Sequence, residues 1–281
     1  MKKTCNHRQV SVIIPTYNRH SMLKEAVESV LAQDYQNFEL IVVDDGSTDL
    51  TPEILKSYRE AVTVIRQNNQ GVSSARNAGI RAASGDLVAF LDSDDLWLPQ
   101  KLSSQVDFFK ANPDALICQT QEIWIRDGVR VNPKKRHKKV SGMIFKPSLK
   151  LCLVSPSAVM IRPSLFETVG LFDEDLPACE DYDLWLRISC CYPIYFIDTP
   201  LVIKRGGHAD QLSCASGLDK FRIQAIIKII ESGRLSLSQH NAAVKTLHGK
   251  CGIYAAGCRK RKRIDEAAYY ETLVQSYTLQ S

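Results

Sequence analysis

Glycine is missing from the first part of the sequence, where none occurs before Gly46. Folds that hold a nucleotide phosphate on a glycine-rich turn place that turn directly after their first strand. The absence of such a turn argues against a dinucleotide-binding dehydrogenase and against a sugar nucleotidyltransferase, although both enzyme classes also use an α/β sheet.

Paired cysteine motifs are missing too, since the nine cysteines contain no Cys-x-x-Cys and their number is odd. Neither a zinc ribbon nor a disulfide framework is indicated. We therefore expect reduced and mostly buried thiols, as in a cytoplasmic protein.

Long apolar runs are absent as well. The first run, at 10–14, is five residues long and stops at Pro15, which is too short for the apolar region of a signal peptide. No run approaches the ~18 residues that cross a bilayer. The expected protein is soluble in the cytoplasm or peripheral at the inner membrane face.

Positive charge is what the chain has in excess, with a net charge of +5 and basic clusters at 126–139 and 259–263. Such clusters bind phosphates, anionic lipid headgroups or nucleic acid, although a solvated surface is their commoner explanation. No aromatic residues are interleaved to stack bases, so nucleic acid is not expected as a partner. Contact with an anionic membrane is the hypothesis for these clusters.

Apolar strands and amphipathic helices alternate through about the first 110 residues. This alternation predicts a doubly wound α/β sheet, in which ligands collect at the carboxyl ends of the strands. Asn18, Asp45 and Asp94 each follow a strand end and should line the same edge. The predicted strands are 10–14, 40–43, 62–65 and 87–91, and the clearest helices are about 21–32 and 72–83.

The pattern becomes less regular after about residue 112. Short strands are predicted near 116–119, 157–161 and 194–197, with a helix at 181–189. Beyond residue 220 only helical spacing remains, and it fits two helices. We expect a catalytic domain at 1–214 and a helical C-terminal appendage at 215–281.

An acidic cluster directly follows the apolar run at 87–91, where Asp92, Asp94 and Asp95 place three carboxylates within four positions. Negative charge concentrated at one strand end is costly unless a hard cation binds there. A solvated acidic turn is the simpler explanation for an isolated Asp-x-Asp. The surrounding segments favour a divalent metal site.

Five segments, in this order along the chain, resemble family 2 glycosyltransferases of the GT-A fold. They are VSVIIPTYN at 10–18, VDDGSTD at 43–49, GVSSARN at 71–77, DSDD at 92–95 and EDYDLW at 180–185. The resemblance covers about residues 10 to 210. It implies an α/β, Rossmann-like nucleotide-diphospho-sugar transferase fold with a mostly parallel central sheet, to which the C-terminal helical appendage is added.

The resemblance also assigns roles at the acidic cluster. It makes Asp94 a ligand of Mg²⁺ or Mn²⁺, which suits carboxylates that leave coordination positions open for phosphate. Asp92 and Ser93 are expected to contact the donor, with Asp92 near the ribose or the water shell of the metal. Asp95 is the weaker candidate and caps the turn.

Further donor-binding residues follow from the first three segments. In similar proteins an aspartate at the position of Asp45 accepts a hydrogen bond from the imide N–H of uracil, and Tyr17 lies against the base. Arg76 resembles an arginine on the base or phosphate side, and Pro15 and Asn18 complete the expected set. The alternatives are an ordinary Asp-Gly turn at Asp45 and a solvated helix arginine at Arg76.

The last segment carries the chemistry in this interpretation. Asp181 matches the general base of the family, and Glu180 is a neighbouring carboxylate that orients the acceptor or raises the pKa of Asp181. Both are alternatively explained as acidic residues favoured at a helix N-terminus.

A segment at 204–213 falls where similar enzymes carry a flexible loop that closes over the donor. Arg205 would clamp phosphate there. His208 would complete the metal site or contact the diphosphate, although a lone loop histidine is more often simply solvated.

The expected function is inverting transfer of a sugar from a nucleotide-diphosphate donor, such as a UDP-sugar, to a hydroxyl acceptor. The acceptor class stays open between a saccharide, a lipid-linked molecule and a protein. The alternative is a catalytically silent nucleotide-sugar-binding scaffold, which the presence of Asp45, Asp92, Asp94 and Asp181 disfavours. Trp97 and Trp185 are interpreted as packing residues, and the role of Trp124 is left open.

Overall fold

The computed structural model describes residues 9–132, 134–207 and 217–280. Within these ranges nine strands form one sheet, in the order β3-β2-β1-β4-β8-β6-β9-β5, with β7 paired to β6 outside this row. The strands are β1 (Val10–Thr16), β2 (Phe38–Asp44), β3 (Thr63–Arg66), β4 (Leu87–Phe90), β5 (Leu96–Trp97), β6 (Ile117–Arg126), β7 (Val129–Val131), β8 (Val159–Ile161) and β9 (Tyr195–Gly206).

The first four strands form the parallel half of the sheet. β1 pairs in parallel with both β2 and β4, and β2 pairs in parallel with β3. β1 and β4 are buried throughout, as continuous apolar runs covered on both faces predict. The four strands predicted here are confirmed to within two residues at each end.

The second half of the sheet is mixed and contains two strands longer than predicted. β6 and β9 have ten and twelve residues and run in parallel, while β8 lies antiparallel to both β4 and β6. Polar residues at 119–122 interrupt the apolar pattern of β6, although Gln119, Thr120 and Glu122 are buried. Their polarity hid the strand from the sequence pattern.

The start of the expected donor-closing loop is corrected by this pairing. Lys204, Arg205 and Gly206 belong to β9, where they lie opposite 124–126 of β6. Their backbone is therefore held by the sheet. His208 and the rest of the expected loop up to Ser213 lie outside the described residues.

Ten α-helices accompany the sheet in the described ranges. They are α1 (His20–Leu31), α2 (Thr51–Lys56), α3 (Val72–Ala82), α4 (Lys101–Ala111), α5 (Phe145–Lys150), α6 (Ser164–Val169), α7 (Glu180–Ser189), α8 (Leu218–Glu231), α9 (Leu237–Lys260) and α10 (Ile264–Leu273). The two helices predicted after residue 220 correspond to α8 and α9, and α10 was not predicted. Lys262, between α9 and α10, adopts a left-handed φ of 61°. None of the described helices is long and apolar enough to cross a membrane.

Three large apolar clusters hold these layers together. One packs α1 and α4 against one face of the sheet, and a second packs α6 and α7 against the other face. The third joins Phe145, Leu149 and Leu186, from α5 and α7, to buried residues of α8, α9 and α10. The helices after residue 217 thus share a core with helices of the expected catalytic domain.

We predict that Ile226→Ala lowers the free energy of unfolding reported by tryptophan fluorescence. The chain's three tryptophans, Trp97, Trp124 and Trp185, all lie in the expected catalytic domain, whereas Ile226 lies in the expected appendage. Ile226 is fully buried in the third cluster, and an Ile→Ala cavity costs about 2–5 kcal/mol. Urea unfolding followed by fluorescence measures the effect. Ile253→Ala is the control because Ile253, on α9, is 69% exposed. An unchanged fluorescence midpoint for Ile226→Ala would mean that 215–281 unfolds as a separate appendage.

Candidate functional site

A cavity of about 880 Å³ opens where β1, β2 and β4 end. Its wall includes every residue expected at the site that lies in the described ranges. These residues are Pro15, Tyr17, Asn18, Asp45, Arg76, Asp92, Ser93, Asp94, Glu180, Asp181 and Arg205. The structure therefore brings together residues that are spread over most of the first 205 positions.

Arg76 is the buried centre of this wall. Its side chain, on α3, is only 4% exposed, and its two terminal nitrogens each lie 2.6 Å from a carboxylate oxygen, one of Glu180 and one of Asp92. The guanidinium also lies 5.2 Å from the centre of the Phe172 ring. The alternative of a solvated helix arginine is wrong, because this residue links the end of β4 to the start of α7.

Charge pairing sets the ionisation of this trio. Burial opposes the charge of Arg76, but Asp92 and Glu180 raise its pKa above the usual value. Burial likewise opposes ionisation of Asp92, yet Arg76 and Lys204 hold its pKa below the usual range. Burial raises the pKa of Glu180 in spite of Arg76. The carboxyl of Glu180 thus acts as the partner that positions Arg76.

Asp94 and Asp95 differ sharply although they are adjacent. The Asp94 carboxylate is 17% exposed to the cavity and pairs with Arg19 at 3.3 Å. Asp95 is buried and accepts hydrogen bonds from the Ser157 hydroxyl at 2.7 Å and the Arg205 backbone N–H at 2.9 Å. Burial raises the pKa of Asp95 to about 7. Asp95 fastens the turn, and Asp94 faces the ligand space.

The chemistry of this donor set fits a divalent ion. No group of three His, Cys, Asp or Glu side chains that could hold a metal occurs among the described residues. Mg²⁺, however, is commonly held by one or two carboxylates, with substrate phosphates and water completing its shell. Asp94, with Asp92 beside it, provides such a partial set. The remaining ligands would come from a diphosphate.

Asp45 organises the loop after β3. Its Oδ1 accepts from Gln67 Nε2 at 2.8 Å and from the Gln70 N–H at 2.9 Å, and its Oδ2 accepts from the Gly71 N–H at 2.8 Å. A carboxylate offers about four acceptor positions, and these hydrogen bonds occupy three of them. The expected uracil contact stays a prediction.

The loop after β1 is held by Asn18. This residue adopts a left-handed φ of 51°, and its Oδ1 accepts from the Thr48 N–H at 2.8 Å. Its own N–H donates to the Ser47 hydroxyl at 2.9 Å. Asn18 therefore ties the β1 and β2 loops together, while Tyr17 beside it is 45% exposed on the cavity wall.

Asp181 occupies the first turn of α7, facing the cavity. Its Oδ1 accepts from the Tyr182 N–H at 2.6 Å, and the Cys152 thiol lies 3.5 Å from its Oδ2. The positive end of the helix dipole favours a carboxylate at this position. Cys179, which directly precedes α7, adopts a left-handed φ of 63°. Asp181 therefore presents its carboxylate to the cavity from the N-terminal end of α7.

Arg205 anchors the strand β9 to the acidic turn. Its side chain donates to the Asp94 carbonyl and pairs with Glu25 of α1. These contacts give Arg205 a structural role in addition to the expected phosphate contact.

Lys204 is a site residue that the sequence interpretation missed. Its Nζ lies 3.0 Å from the Ser155 hydroxyl and 4.0 Å from Asp95, on the cavity wall. Burial opposes its charge, but Asp95, Glu122 and Asp92 raise its pKa above the usual value. Lys204 directly precedes Arg205 in the segment expected to contact the donor, but the predicted strand ended at residue 197, so nothing showed that Lys204 is held on the cavity wall by β9.

Trp124, whose role was left open, lies on β6 opposite Lys204 and lines the same cavity. Its indole N–H donates to Glu122 at 3.0 Å, and Lys139 pairs with Glu122 at 3.1 Å. Burial opposes ionisation of Glu122, but Lys139 and Lys204 lower its pKa to about 2. The indole is therefore fixed in place beside the ligand space.

Comparison with known proteins agrees with this geometry. A family model described as Glycosyl transferase family 2 matches residues 11–170. The chain belongs to this family. An uncharacterized glycosyltransferase of Rickettsia prowazekii is 35% identical over 216 residues, which cover 75% of this chain and 68% of that protein. The UDP-Glc:alpha-D-GlcNAc-diphosphoundecaprenol beta-1,3-glucosyltransferase of Escherichia coli is 32% identical over 186 residues, which cover 64% of this chain and 69% of that protein.

Two solved structures show the fold of this glycosyltransferase. TarS of S. aureus in complex with UDP-GlcNAc superposes with a TM-score of 0.69 at 20% identity, covering 97% of this chain and 93% of that one. A mannosyltransferase of Pyrobaculum calidifontis in complex with GDP-Man and Mn²⁺ gives a TM-score of 0.61 at 21% identity, covering 94% and 79%. The expected GT-A fold is confirmed.

We predict that Arg76→Met lowers the free energy of unfolding by about 3–5 kcal/mol, because it leaves Asp92 and Glu180 without their buried partner. Denaturant titration measures this loss. Arg81→Met on the same helix is the control, since Arg81 is 57% exposed and its pairing with Glu174 is loose at 3.9 Å, and such exposed pairs contribute about 0–1 kcal/mol. Equal losses for the two variants would contradict the bridging role of Arg76.

Proposed function

We propose that this glycosyltransferase is a metal-dependent, inverting enzyme that transfers a sugar from a UDP-sugar to a hydroxyl group of an acceptor. The observation that carries the proposal is the single cavity shared by Asp45, Asp92, Asp94 and Asp181. In this proposal, these side chains recognise the nucleobase, anchor the diphosphate and remove the acceptor proton within one cavity.

The uridine end of the donor is assigned to the loops after β1 and β2. The exposed ring of Tyr17 gives the base a flat apolar face, and the remaining acceptor position of Asp45 accepts the imide N–H. Support for UDP comes from the UDP-GlcNAc complex of TarS and the UDP-Glc named for the E. coli relative.

The diphosphate is assigned to the end of β4. A divalent ion held by Asp94, with Asp92 beside it, would neutralise charge on the departing diphosphate. The Mn²⁺ of the P. calidifontis structure supports an ion of this kind, with Mg²⁺ as the alternative. Lys204 and Arg205 add fixed positive charge from β9, and Ser93 lines the cavity beside them.

Transfer itself is assigned to Asp181. Its carboxylate takes the proton of the acceptor hydroxyl while that oxygen bonds to the anomeric carbon of the sugar. The bond from that carbon to the diphosphate oxygen breaks, and UDP leaves with the electron pair. One displacement from the opposite face inverts the anomeric configuration. Glu180 contributes indirectly, since its carboxylate positions Arg76 at 2.6 Å.

The acceptor is assigned to the part of the cavity around Trp124, where a fixed indole offers a stacking face for a sugar ring. Among saccharide, lipid-linked and protein acceptors we favour a lipid-linked saccharide. The diphosphoundecaprenol-linked acceptor named for the E. coli relative supports this choice. Such an acceptor also requires peripheral contact with a membrane, for which the basic clusters are suited.

We predict that Asp181→Asn reduces sugar transfer by about 10²–10⁴-fold while UDP binding stays close to that of the wild type. The amide keeps the shape of the side chain but does not accept the proton. UDP release in the presence of acceptor measures transfer, and calorimetry measures binding. A variant with wild-type turnover would remove Asp181 from the role of base.

We predict that Asp94→Asn abolishes the gain in UDP affinity that Mn²⁺ gives the wild type. The amide lacks the charge that holds the ion against the diphosphate. Calorimetric titrations of UDP with and without Mn²⁺ compare each protein with itself. An unchanged Mn²⁺-dependent gain would place the ion elsewhere. Asp34→Asn is the matched control, because Asp34 is exposed and away from the cavity.

A further inference from the structure

A second cavity, of about 530 Å³, lies between the start of α8 and the turn from α9 to α10. It contains part of the basic cluster at 259–263, to which the catalytic site gives no role. Three cationic side chains, two aromatic rings and a single carboxylate line it, namely Lys220, Arg261, Arg263, Phe221, Tyr254 and Glu266.

The charges of this cavity are unbalanced. Glu266 pairs with Arg263 at 3.0 Å and accepts a hydrogen bond from the Tyr254 hydroxyl at 2.8 Å. Neither Lys220 nor Arg261 forms an ion pair with a carboxylate in the described part of the chain. Two cations therefore remain available to an anionic ligand, and a phosphate group is the ligand that such clusters favour.

A row of aromatic side chains leads from this cavity through the buried Tyr270 to the exposed Tyr269 on α10. The ring of Tyr254 lies 4.6 Å from that of Tyr270, which lies 5.1 Å from that of Tyr269. Tyr269 is 60% exposed, and Ile264, next to Arg263, is 53% exposed. A ligand that combines a phosphate with a hydrocarbon chain matches a cationic cavity with exposed apolar side chains beside it.

The second cavity is also close to the first. The first turn of α8 separates them, since Leu218 and Arg222 line the large cavity while Lys220 and Phe221 line the smaller one. An α-helix with its side chains is about 10–12 Å across. The two cavities therefore lie on opposite sides of one helical turn.

We propose that the second cavity binds the phosphate or diphosphate group of a membrane lipid, with Lys220 and Arg261 as its anion ligands. The hydrocarbon chain lies against Ile264, which is exposed next to Arg263. The link to a lipid-linked acceptor rests on the proposed function, whereas the binding itself does not depend on transfer.

The test is sedimentation with phosphatidylcholine vesicles that either lack or contain phosphatidic acid. We expect the wild type to bind only the vesicles with phosphatidic acid, and Lys220→Glu with Arg261→Glu to weaken this binding by about thirtyfold or more, given the contribution of each basic residue near an anionic surface. The charge-matched control is Lys56→Glu with Arg59→Glu, two exposed positions at the end of α2 and just after it. It should bind nearly as the wild type does.

Three results would overturn the proposal. Equal loss in the two double variants would show that total charge, not this cavity, drives binding. Unchanged binding of the Lys220 and Arg261 variant would exclude the cavity. Inorganic diphosphate that binds wild type but not this variant, without any vesicle binding, would assign the cavity to a soluble phosphate.

Two further measurements distinguish a loss of vesicle binding from a loss of folding or of nucleotide binding. Thermal unfolding and calorimetric UDP binding should be the same in the wild type and both double variants. If the unfolding temperature of the double Glu variant falls, the milder Lys220→Gln with Arg261→Gln is used instead. This double Gln variant should also weaken vesicle binding. Failure of the Asp181 and Asp94 predictions with intact vesicle selectivity would overturn the proposed function alone.

Discussion

The site depends on one buried ion-pair system, in which Arg76 of α3 lies between Asp92 after β4 and Glu180 of α7. A guanidinium that is 4% exposed is tolerated only when carboxylates and hydrogen bonds replace water. This requirement fixes the distance between the sheet edge and the helix that carries Asp181. The cavity residues after β4 and at the start of α7, which are far apart in the chain, are therefore aligned by this charge pairing.

Around this centre, polar side chains shape the loops by binding backbone N–H groups. Asp45 accepts from Gln70 and Gly71, and Asn18 accepts from Thr48. Loops without regular structure leave backbone donors unpaired, and these two side chains supply the missing acceptors. Their presence at strand ends is therefore a requirement of the fold itself.

The sequence predicted the parallel half of the sheet well because its strands are continuous apolar runs ended by turn residues. It also predicted which side chains meet, since carboxyl ends of parallel strands share one edge. It failed where buried polar residues replaced that pattern, as at Glu122 and Lys139, whose pairing is visible only in three dimensions. Lys204 was overlooked for the same reason, and α10, which follows the left-handed Lys262, was not predicted.

The contact between Arg19 and Asp94 has a consequence for the order in which ligands arrive. A positive charge already occupies the space next to the carboxylate, so a free ion gains little by displacing it. In the proposed function, a diphosphate would offer Arg19 new anionic partners and would at the same moment free Asp94 for the ion. Binding of nucleotide and metal should therefore be mutually cooperative, and thermodynamic linkage requires each to increase the affinity for the other by the same factor.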